Sequence, residues 1–354
     1  MKAFLKRKNI TISWKRYGID AMSAMAQGLF ASLLIGTIIK TIGEQGGNAA
    51  ANIEWLKQLC DWFVKIGVFA QSVAGPAMAI SIAVALQAPP LVTFSAAAVG
   101  YAANAEGGAG GPLAVLLIAI IAVEFGKAVS KETKIDILVT PFVTVVIGGL
   151  LSIWTAPYIG KGATWFGNLT KWATEQQPFI MGIVVAVVIG VALTLPISSA
   201  AICAALGLTG LAGGAAVAGC SAQMIGFAVL SFHENGVGGL VSQGIGTSML
   251  QMGNIVKKPI IWLPPIIASA IGGPIATCLF KLRMDGTPIA SGMGTCGFVG
   301  QIGVITGWNG TAEAVDWAGL IVVSFLVPAL VCLILGYSFR KIGLIKEGDL
   351  KLKD

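Results

Sequence analysis

The chain has 354 residues, of which 56% are hydrophobic and only 11% are charged, with a formal net charge of +7 and a mean hydropathy of +0.85. A soluble domain usually carries about a quarter charged residues, so this composition excludes an ordinary water-soluble protein and predicts a chain embedded in a bilayer. The positive charge does not alternate with aromatic residues, so we interpret it as a signal of membrane orientation, and we expect no nucleic-acid partner.

Apolar stretches of about 20 residues, the length that crosses the hydrocarbon core, recur along the chain. In chain order they are residues 17–42, 64–87, 112–128, 137–157, 179–196, 259–280 and 320–339. Three less regular stretches, residues 90–104, 197–217 and 218–255, are short, rich in Ala and Gly, or interrupted by polar residues. The sequence therefore predicts an all-α polytopic membrane protein with about ten transmembrane helices.

The charges at the two ends predict the orientation. Six Lys and Arg residues lie in residues 1–16 and five in residues 340–354. Because cytoplasmic segments carry an excess of Lys and Arg, both termini should be cytoplasmic, which requires an even number of crossings. We therefore divide the chain into a cytoplasmic tail (1–16), two transmembrane halves (17–177 and 178–340) and a second cytoplasmic tail (341–354). Glu124, near the end of one span, is expected to pair with Lys127.

Two glycine-rich, uncharged segments stand out in the second half, "SQGIGTSMLQMGNI" (242–255) and "SGMGTCGFVGQIGVI" (291–305). Non-helical backbone at membrane depth is tolerated only where protein or a water-filled cavity satisfies its amide groups, and transporters use such broken segments to bind substrate. We therefore predict that the two segments meet at a substrate cavity near mid-membrane. Their candidate binding residues are Gln243, Gly246, Thr247, Ser248, Gly294, Thr295 and Gln301. The alternative is close helix packing, which also favours small residues.

The motif "SFHENG" (231–236) supplies the single histidine of the chain, His233, followed by Glu234 and Asn235. Ionisable groups within membrane segments usually mark a substrate path or a proton relay, so these three residues are candidates for substrate binding. A solvated loop at the membrane surface is the alternative. Asn104 and Glu106, in "YAANAEGGAGGP", could line another break in a helix or be structural.

Soluble-enzyme chemistry and cofactor binding have little support in the sequence. The six cysteines lack C-x-x-C spacing, and no second histidine exists to form a metal pair. Neither a phosphate-binding G-x-x-x-x-G-K-[ST] loop nor a G-x-S-x-G elbow is present. We therefore predict no metal, no cofactor and no catalytic domain in the chain.

The whole chain resembles the membrane component, enzyme IIC, of the phosphoenolpyruvate-dependent sugar phosphotransferase system. It is most similar to the stand-alone branch related to the perfringolysin regulatory protein. The resemblance is carried by the chain length, the roughly ten spans, the start "ISWKRYGIDAMSAMAQGLFASLLIGTI", and the pair "GIGTSMLQMGNI" and "GTPIASGMGTCGFVGQIG". It implies an enzyme IIC-like fold with re-entrant hairpins and a homodimer formed by one half, here assigned to residues 17–177. It also implies a sugar site in the other half, where His233 corresponds to the family histidine that contacts the sugar.

The same resemblance implies a sugar permease in the bacterial plasma membrane, surrounded by lipid and served by separate IIA and IIB phosphocarrier proteins. The region "GTPIASGMGT" lacks the carboxylate that this family carries at its hairpin tip. Two other functions therefore stay open. One is a secondary transporter for another small polar or anionic solute, and the other is a membrane sensor or regulator with a transporter fold.

Overall fold

The computed structural model describes residues 2–49, 53–174, 176–308 and 312–352. Within these residues the chain is helical and forms no strand, the one β-bridge joining Gly210 to Met284. Six of the described helices are long and apolar enough to cross a membrane, or seven if one bent pair counts as a span. The predicted all-α, multi-span architecture is confirmed, although length and hydropathy alone do not reach the expected ten crossings. The chain folds as two compact units, residues 1–160 and 161–354.

The first unit contains seven described helices. Its helices are α1 (Lys2–Arg7), α2 (Lys15–Gly47), α3 (Glu54–Ser72), α4 (Ala74–Ala85), α5 (Pro90–Gly107), α6 (Gly111–Val129) and α7 (Asp136–Thr174), the last continuing past residue 160. The α3–α4 pair is bent by 47°. Residues 90–129 form two antiparallel helices, because the backbone reverses at Gly108, where φ is +48°.

Buried Lys127 joins the ends of three helices in this unit. Its ammonium lies 3.0 Å from Glu124 and donates to the carbonyl oxygens of Asn9 and Leu86, at 2.8 and 3.0 Å. Tyr17 donates to the same Glu124 carboxylate at 3.0 Å. The expected Glu124–Lys127 pair is therefore confirmed, and it ties the start of α2 to the ends of α4 and α6.

Helix packing in the first unit depends on glycines that meet backbone directly. A Cβ at Gly75 would lie 2.4 Å from the carbonyl oxygen of Gly100, and a Cβ at Gly36 would lie 2.7 Å from that of Gly67. Small residues let membrane helices approach in this way where apolar burial alone gives little driving force between them.

Among the described residues, the second unit contains four long helices, one short helix and two interrupted hairpins. Its helices are α8 (Pro178–Thr194), α9 (Ser199–Leu206), α10 (Gly210–Leu230), α11 (Phe232–Val241), α12 (Met252–Lys257), α13 (Pro259–Leu279), α14 (Pro288–Ser291), α15 (Val299–Gly307) and α16 (Ala314–Lys341). Helix α10 is central and almost wholly buried. Its sequence is rich in Ala and Gly because neighbouring backbones lie against it: a Cβ at Gly219 would lie 1.9 Å from the carbonyl oxygen of Ala186.

The contacts of α10 fix the directions of its neighbours. The carbonyl oxygen of Gly219 accepts from Ser269 at 3.2 Å, and Gly226 abuts Pro265, so α13 runs antiparallel to α10. Helix α8 runs parallel to α10, with Gly190 against Gly219 and Thr194 bonded to Gln223, and so does α16, with Cys332 against Gly226 and Arg340 bonded to Leu230. We call the end that holds Leu230 and Lys258 the tail face, and the end that holds Gly210 and Leu282 the far face.

One sequence-based boundary is wrong. The sequence was divided into stretches 197–217 and 218–255, but α10 runs unbroken from Gly210 to Leu230 across that boundary. Glycine usually weakens a helix, whereas here Gly219 lies against Ala186 of α8, and Gly226 lies against Cys332 of α16 and Pro265 of α13.

Candidate functional site

The first glycine-rich segment forms a hairpin that enters from the tail face and returns to it. Helix α11 is interrupted at Gly236, where φ is +59°, and the chain becomes fully extended at Thr247 before α12 returns. The two limbs are joined by a 2.8 Å hydrogen bond from the Gln251 amide to Gln243. Gly244, near the tip, lies within 3.5 Å of Ile225 on α10, measured from a Cβ built on the glycine. We call residues 232–257 the tail-face hairpin.

The second segment forms a matching hairpin that enters from the far face. At its base, Gly286 abuts the carbonyl oxygen of Gly303, and near its tip the amide of Gly300 donates to Gly294 at 3.0 Å. Gly294, with φ of +52°, lies against Cys220 and Ser221, close to the middle of α10. We call residues 286–307 the far-face hairpin.

The tips of the two hairpins meet. The hydroxyl of Thr295 donates to the carbonyl oxygen of Gly244 at 2.5 Å. The expected approach of the two glycine-rich segments is therefore confirmed. Gly294 lies against Cys220 and Ser221 at the middle of α10, whereas Gly244 lies against Ile225 and Ala228, nearer the tail-face end, so the contact lies within the length of α10.

Buried uncharged polar groups surround the tips. The Ser248 hydroxyl lies 2.8 Å from that of Thr194, which donates to Gln223 at 3.2 Å. The Gln223 amide continues this network to Ser269 and accepts from Trp262. The hydroxyl of Thr247 accepts from the amide of Met249, which stabilises the break in the helix. Gly246 is buried in the turn between α11 and Thr247.

Among the predicted site residues that the structure describes, Gln301 has a buried side-chain atom without a hydrogen-bond partner. Its amide nitrogen donates to Ser221 at 3.1 Å and to Ser324 at 3.0 Å. Its side-chain oxygen has no hydrogen-bond partner, although the residue is only 5% exposed. A buried acceptor without a donor carries a desolvation cost, which a hydroxyl-bearing ligand would remove.

The "SFHENG" motif lies at the tail-face end of α10. The side chain of Glu234 is only 3% exposed, and its carboxylate accepts from Arg340 at 3.2 and 3.3 Å and from the amide of Gly348 at 3.3 Å. Asn235 bonds to the backbone of Leu350 and Leu352. His233 is exposed and lines a cavity of about 490 Å³ with residues that follow α16. These polar groups therefore contact the C-terminal tail.

The remaining predicted residues divide between this cluster and the first unit. Gln243 is buried, and its amide donates to Ser231 and to the carbonyl oxygen of Gly239, both at 2.8 Å. Asn104 lies in α5, where its side-chain oxygen would lie 2.5 Å from a Cβ at Gly111. Glu106 is exposed near the end of the same helix. Asn104 and Glu106 thus lie in the last turn of α5, just before the chain reverses into α6.

Several residues near the tips were not singled out from the sequence. They are Thr194, Ser221, Gln223, Trp262, Ser269 and Ser324. They are scattered among apolar residues within helices, where a serine or threonine hydroxyl can equally bond to its own helix backbone. The isolated Gln223 in the run "AGCSAQMIGF" was the one available signal, since a buried amide needs partners on other helices.

A salt bridge outside the spans gives a pH prediction. Burial raises the pKa of Asp349, but hydrogen bonds from Lys258 and from the amide of Lys346 outweigh it, and the net pKa lies below the ordinary value of 3.8. The pair therefore stabilises the docked tail fully above pH 3.8, and this contribution is lost as the pH falls through the lowered pKa. We expect the fluorescence anisotropy of a dye attached after the last residue to stay constant from pH 5 to 8. A transition within that range would contradict this assignment.

The chain matches the family model described as "Phosphotransferase system, EIIC" over residues 19–352. It belongs to the EIIC family. No curated protein matches the chain. As an EIIC component, it is a multi-pass protein of the bacterial plasma membrane and a permease subunit of a phosphotransferase system. EIIC membership also implies a sugar substrate and separate IIA and IIB partners.

Proposed function

We propose that the tips of the tail-face and far-face hairpins form the sugar site of this EIIC permease, in a cavity near mid-membrane. The observation that carries the proposal is the hydrogen bond from Thr295 to Gly244, which brings together two broken segments from opposite faces. Transporters with inverted repeats bind substrate between such broken segments, near the bilayer midplane.

The chemistry of the tips suits an uncharged polyol. Thr247, Ser248 and Thr295 supply hydroxyl groups that can donate and accept, and Gln301 supplies an acceptor without a partner. Small residues at Gly246 and Gly294 would let backbone groups approach a ligand. The carboxylate of Glu234 is less suited to the sugar, because Arg340 and Gly348 already occupy it.

The proposed topology has ten crossings with both termini in the cytoplasm. Five passes in the first unit are α2, the α3–α4 pair, α5, α6 and α7. In the second unit, α8, α10, α13 and α16 supply four. We count residues 195–209 as the fifth, a shorter one, since the chain returns from Thr194, beside Gln223 in the tail-face half of α10, to Gly210 at the far face. The tail face carries six Lys and Arg residues (Lys257, Lys258, Arg340, Lys341, Lys346 and Lys351), and the far face carries Lys281 and Arg283. This asymmetry supports a cytoplasmic tail face.

A homodimer formed through the first unit is also a proposal. Helix α7 is the least buried of the candidate spans, with 22% of its most apolar window buried. Its exposed side chains include Phe142, Leu150, Trp154 and Tyr158. Either a second copy of the chain or lipid tails cover this face. Cross-linking of a Leu150→Cys variant in native membranes distinguishes them, because a covalent dimer forms only if a second copy lies against α7.

The test of the sugar site is Gln301→Met, which keeps the length of the side chain and removes the free acceptor together with the amide that donates to Ser221 and Ser324. We expect sugar affinity to fall about two- to tenfold, corresponding to one hydrogen bond of about 0.5–1.5 kcal/mol. The measurement is binding of a panel of radiolabelled sugars to purified protein. Gln71→Met, the same change in the first unit where the amide bonds to Thr37, is the matched control. Equal affinities in wild type and Gln301→Met would contradict the assignment of Gln301.

One observation favours a second candidate, transport without phosphorylation. Residues 244–248 and 292–301 contain no carboxylate and no imidazole that could take the proton of a sugar hydroxyl. Uptake into sealed vesicles that contain no phosphoryl donor would support this candidate. Uptake that requires a donor and yields sugar phosphate would support the permease.

A further inference from the structure

The C-terminal tail folds back onto the base of the tail-face hairpin. After α16 ends, the chain turns and packs Ile345 and Leu350 into the protein, with Leu350 fully buried. The side chain of Leu350 would be exposed to water if this charged segment were not docked. Its full burial therefore shows that the tail packs against the protein.

Side-chain amides of the hairpin bind the backbone of this tail. Gln251 and Asn254 donate to the carbonyl oxygens of Leu350 and Lys351, each at 2.9 Å. Asn235 donates to the same Leu350 oxygen at 2.9 Å and accepts from the amide of Leu352 at 2.8 Å. Asn235 belongs to the entering limb of the hairpin, and Gln251 and Asn254 belong to the returning limb. The tail therefore bridges the two limbs.

Charges reinforce the same contact. Asp349 lies 2.5 Å from Lys258, immediately after the returning limb. Glu234, on the entering limb, accepts from the amide of Gly348. Gln251 in turn bonds to Gln243 across the hairpin, so each limb is held both to the other limb and to the tail.

We propose that residues 345–352 are a strap that fixes the position of the tail-face hairpin, which makes Asp349 and Leu350 positioning residues of the sugar site. The expected effect on sugar affinity rests on the proposed function. The claim that the strap holds the hairpin in place does not depend on it. Gly244 and Ser248 lie on the same short hairpin that the strap holds at its base. If sugar binds only when the hairpin is held, the apparent dissociation constant is the intrinsic constant divided by the strapped fraction. Release of the tail therefore weakens binding without removing a group that touches sugar.

The test is a charge-swap cycle at the Asp349–Lys258 pair, with three measurements on the full-length protein. The variants are Asp349→Lys, Lys258→Asp and the double swap, with Glu347→Lys as the matched control, since Glu347 is exposed and two residues from Asp349. The measurements are hydrogen exchange of residues 345–352, hydrogen exchange of residues 242–251, and sugar affinity. Each single variant should speed exchange in both segments by at least about tenfold and weaken sugar binding at least about threefold. The double swap should recover at least half of each change, which a general loss of stability would not produce.

The outcomes separate the strap from the sugar site. Faster exchange of the tail with unchanged exchange of residues 242–251 would overturn the strap. Unchanged exchange of the tail in both single variants would overturn it as well. Faster exchange in both segments with unchanged sugar affinity would support the strap and count against the proposed function. If a single variant does not fold, Leu350→Ala with the same three measurements replaces it.

Discussion

Gly294→Ala is expected to destabilise the protein by about 2–5 kcal/mol, combining the cost of a left-handed conformation in a residue with a side chain and that of an overpacked core. Gly294 has φ of +52°, and a Cβ there would lie 2.6 Å from the Cβ of Cys220 and 2.7 Å from the amide nitrogen of Ser221. Two of the three nearest atoms belong to the backbone of buried α10, and the third is the Cβ attached to it, so the contact is not relieved by a side-chain rotation. The measurement is the thermal unfolding midpoint of the detergent-solubilised protein.

Gly238→Ala is the matched control for this prediction. Gly238 lies in the tail-face hairpin, and a Cβ there would meet nothing within 4 Å. Its unfolding midpoint should stay close to that of the wild type. Equal midpoints for the two variants would mean that the tip of the far-face hairpin does not lie against α10. A valine at Gly294 should unfold the protein, so a loss of sugar binding in that variant cannot be assigned to a blocked cavity.

Arg340→Met is expected to lower the free energy of unfolding by about 3 kcal/mol, the lower end of the range for breaking a buried ion pair. The variant leaves the Glu234 carboxylate, whose side chain is 3% exposed, without its cation. We choose the lower end of the range because Arg340 keeps 29% of its side-chain exposure. Hydrogen exchange of residues 345–352 should rise as well, because Glu234 also binds the amide of Gly348.

Arg283→Met removes an arginine from a solvent-exposed ion pair and serves as the control. Arg283 lies 3.0 Å from Asp285, but the two side chains are 64% and 40% exposed. Exposed pairs typically contribute about 0–1 kcal/mol, so the control should unfold close to the wild-type midpoint. A larger effect at Arg283 than at Arg340 would contradict the burial assigned to Glu234.

The contacts of Glu234 also decide what a Glu234→Gln variant can show. If Glu234 bound sugar, this change would separate hydrogen bonding to sugar from charge coupling. In the structure, the same change also weakens the contact with Arg340 and the C-terminal tail. Sugar affinity in this variant is therefore informative only when it is measured together with the exchange of the tail.

The sequence by itself determined the class of protein and the elements that matter most. Its hydropathy fixes a membrane environment, because so few charged residues cannot cover a surface in water. The paired segments at 242–255 and 291–305 were recognisable because glycine and uncharged polar residues are unusual at membrane depth. Their approach through Thr295 and Gly244 followed from that similarity. The EIIC family followed from the same features.

The tertiary structure decided the partners of the polar residues. The sequence placed Glu234 and Asn235 in a candidate substrate motif, and the fold pairs them with Arg340, Gly348, Leu350 and Leu352, more than 100 residues away. It also decided that α10 runs unbroken through its glycines: Gly214 and Gly219 meet the backbone of neighbouring segments, and Gly226 meets side chains of α13 and α16. The physical reason is the same in both cases. A hydrogen bond or a close helix crossing depends on the position of a second segment in space, and a local pattern of residue types carries no information about that position.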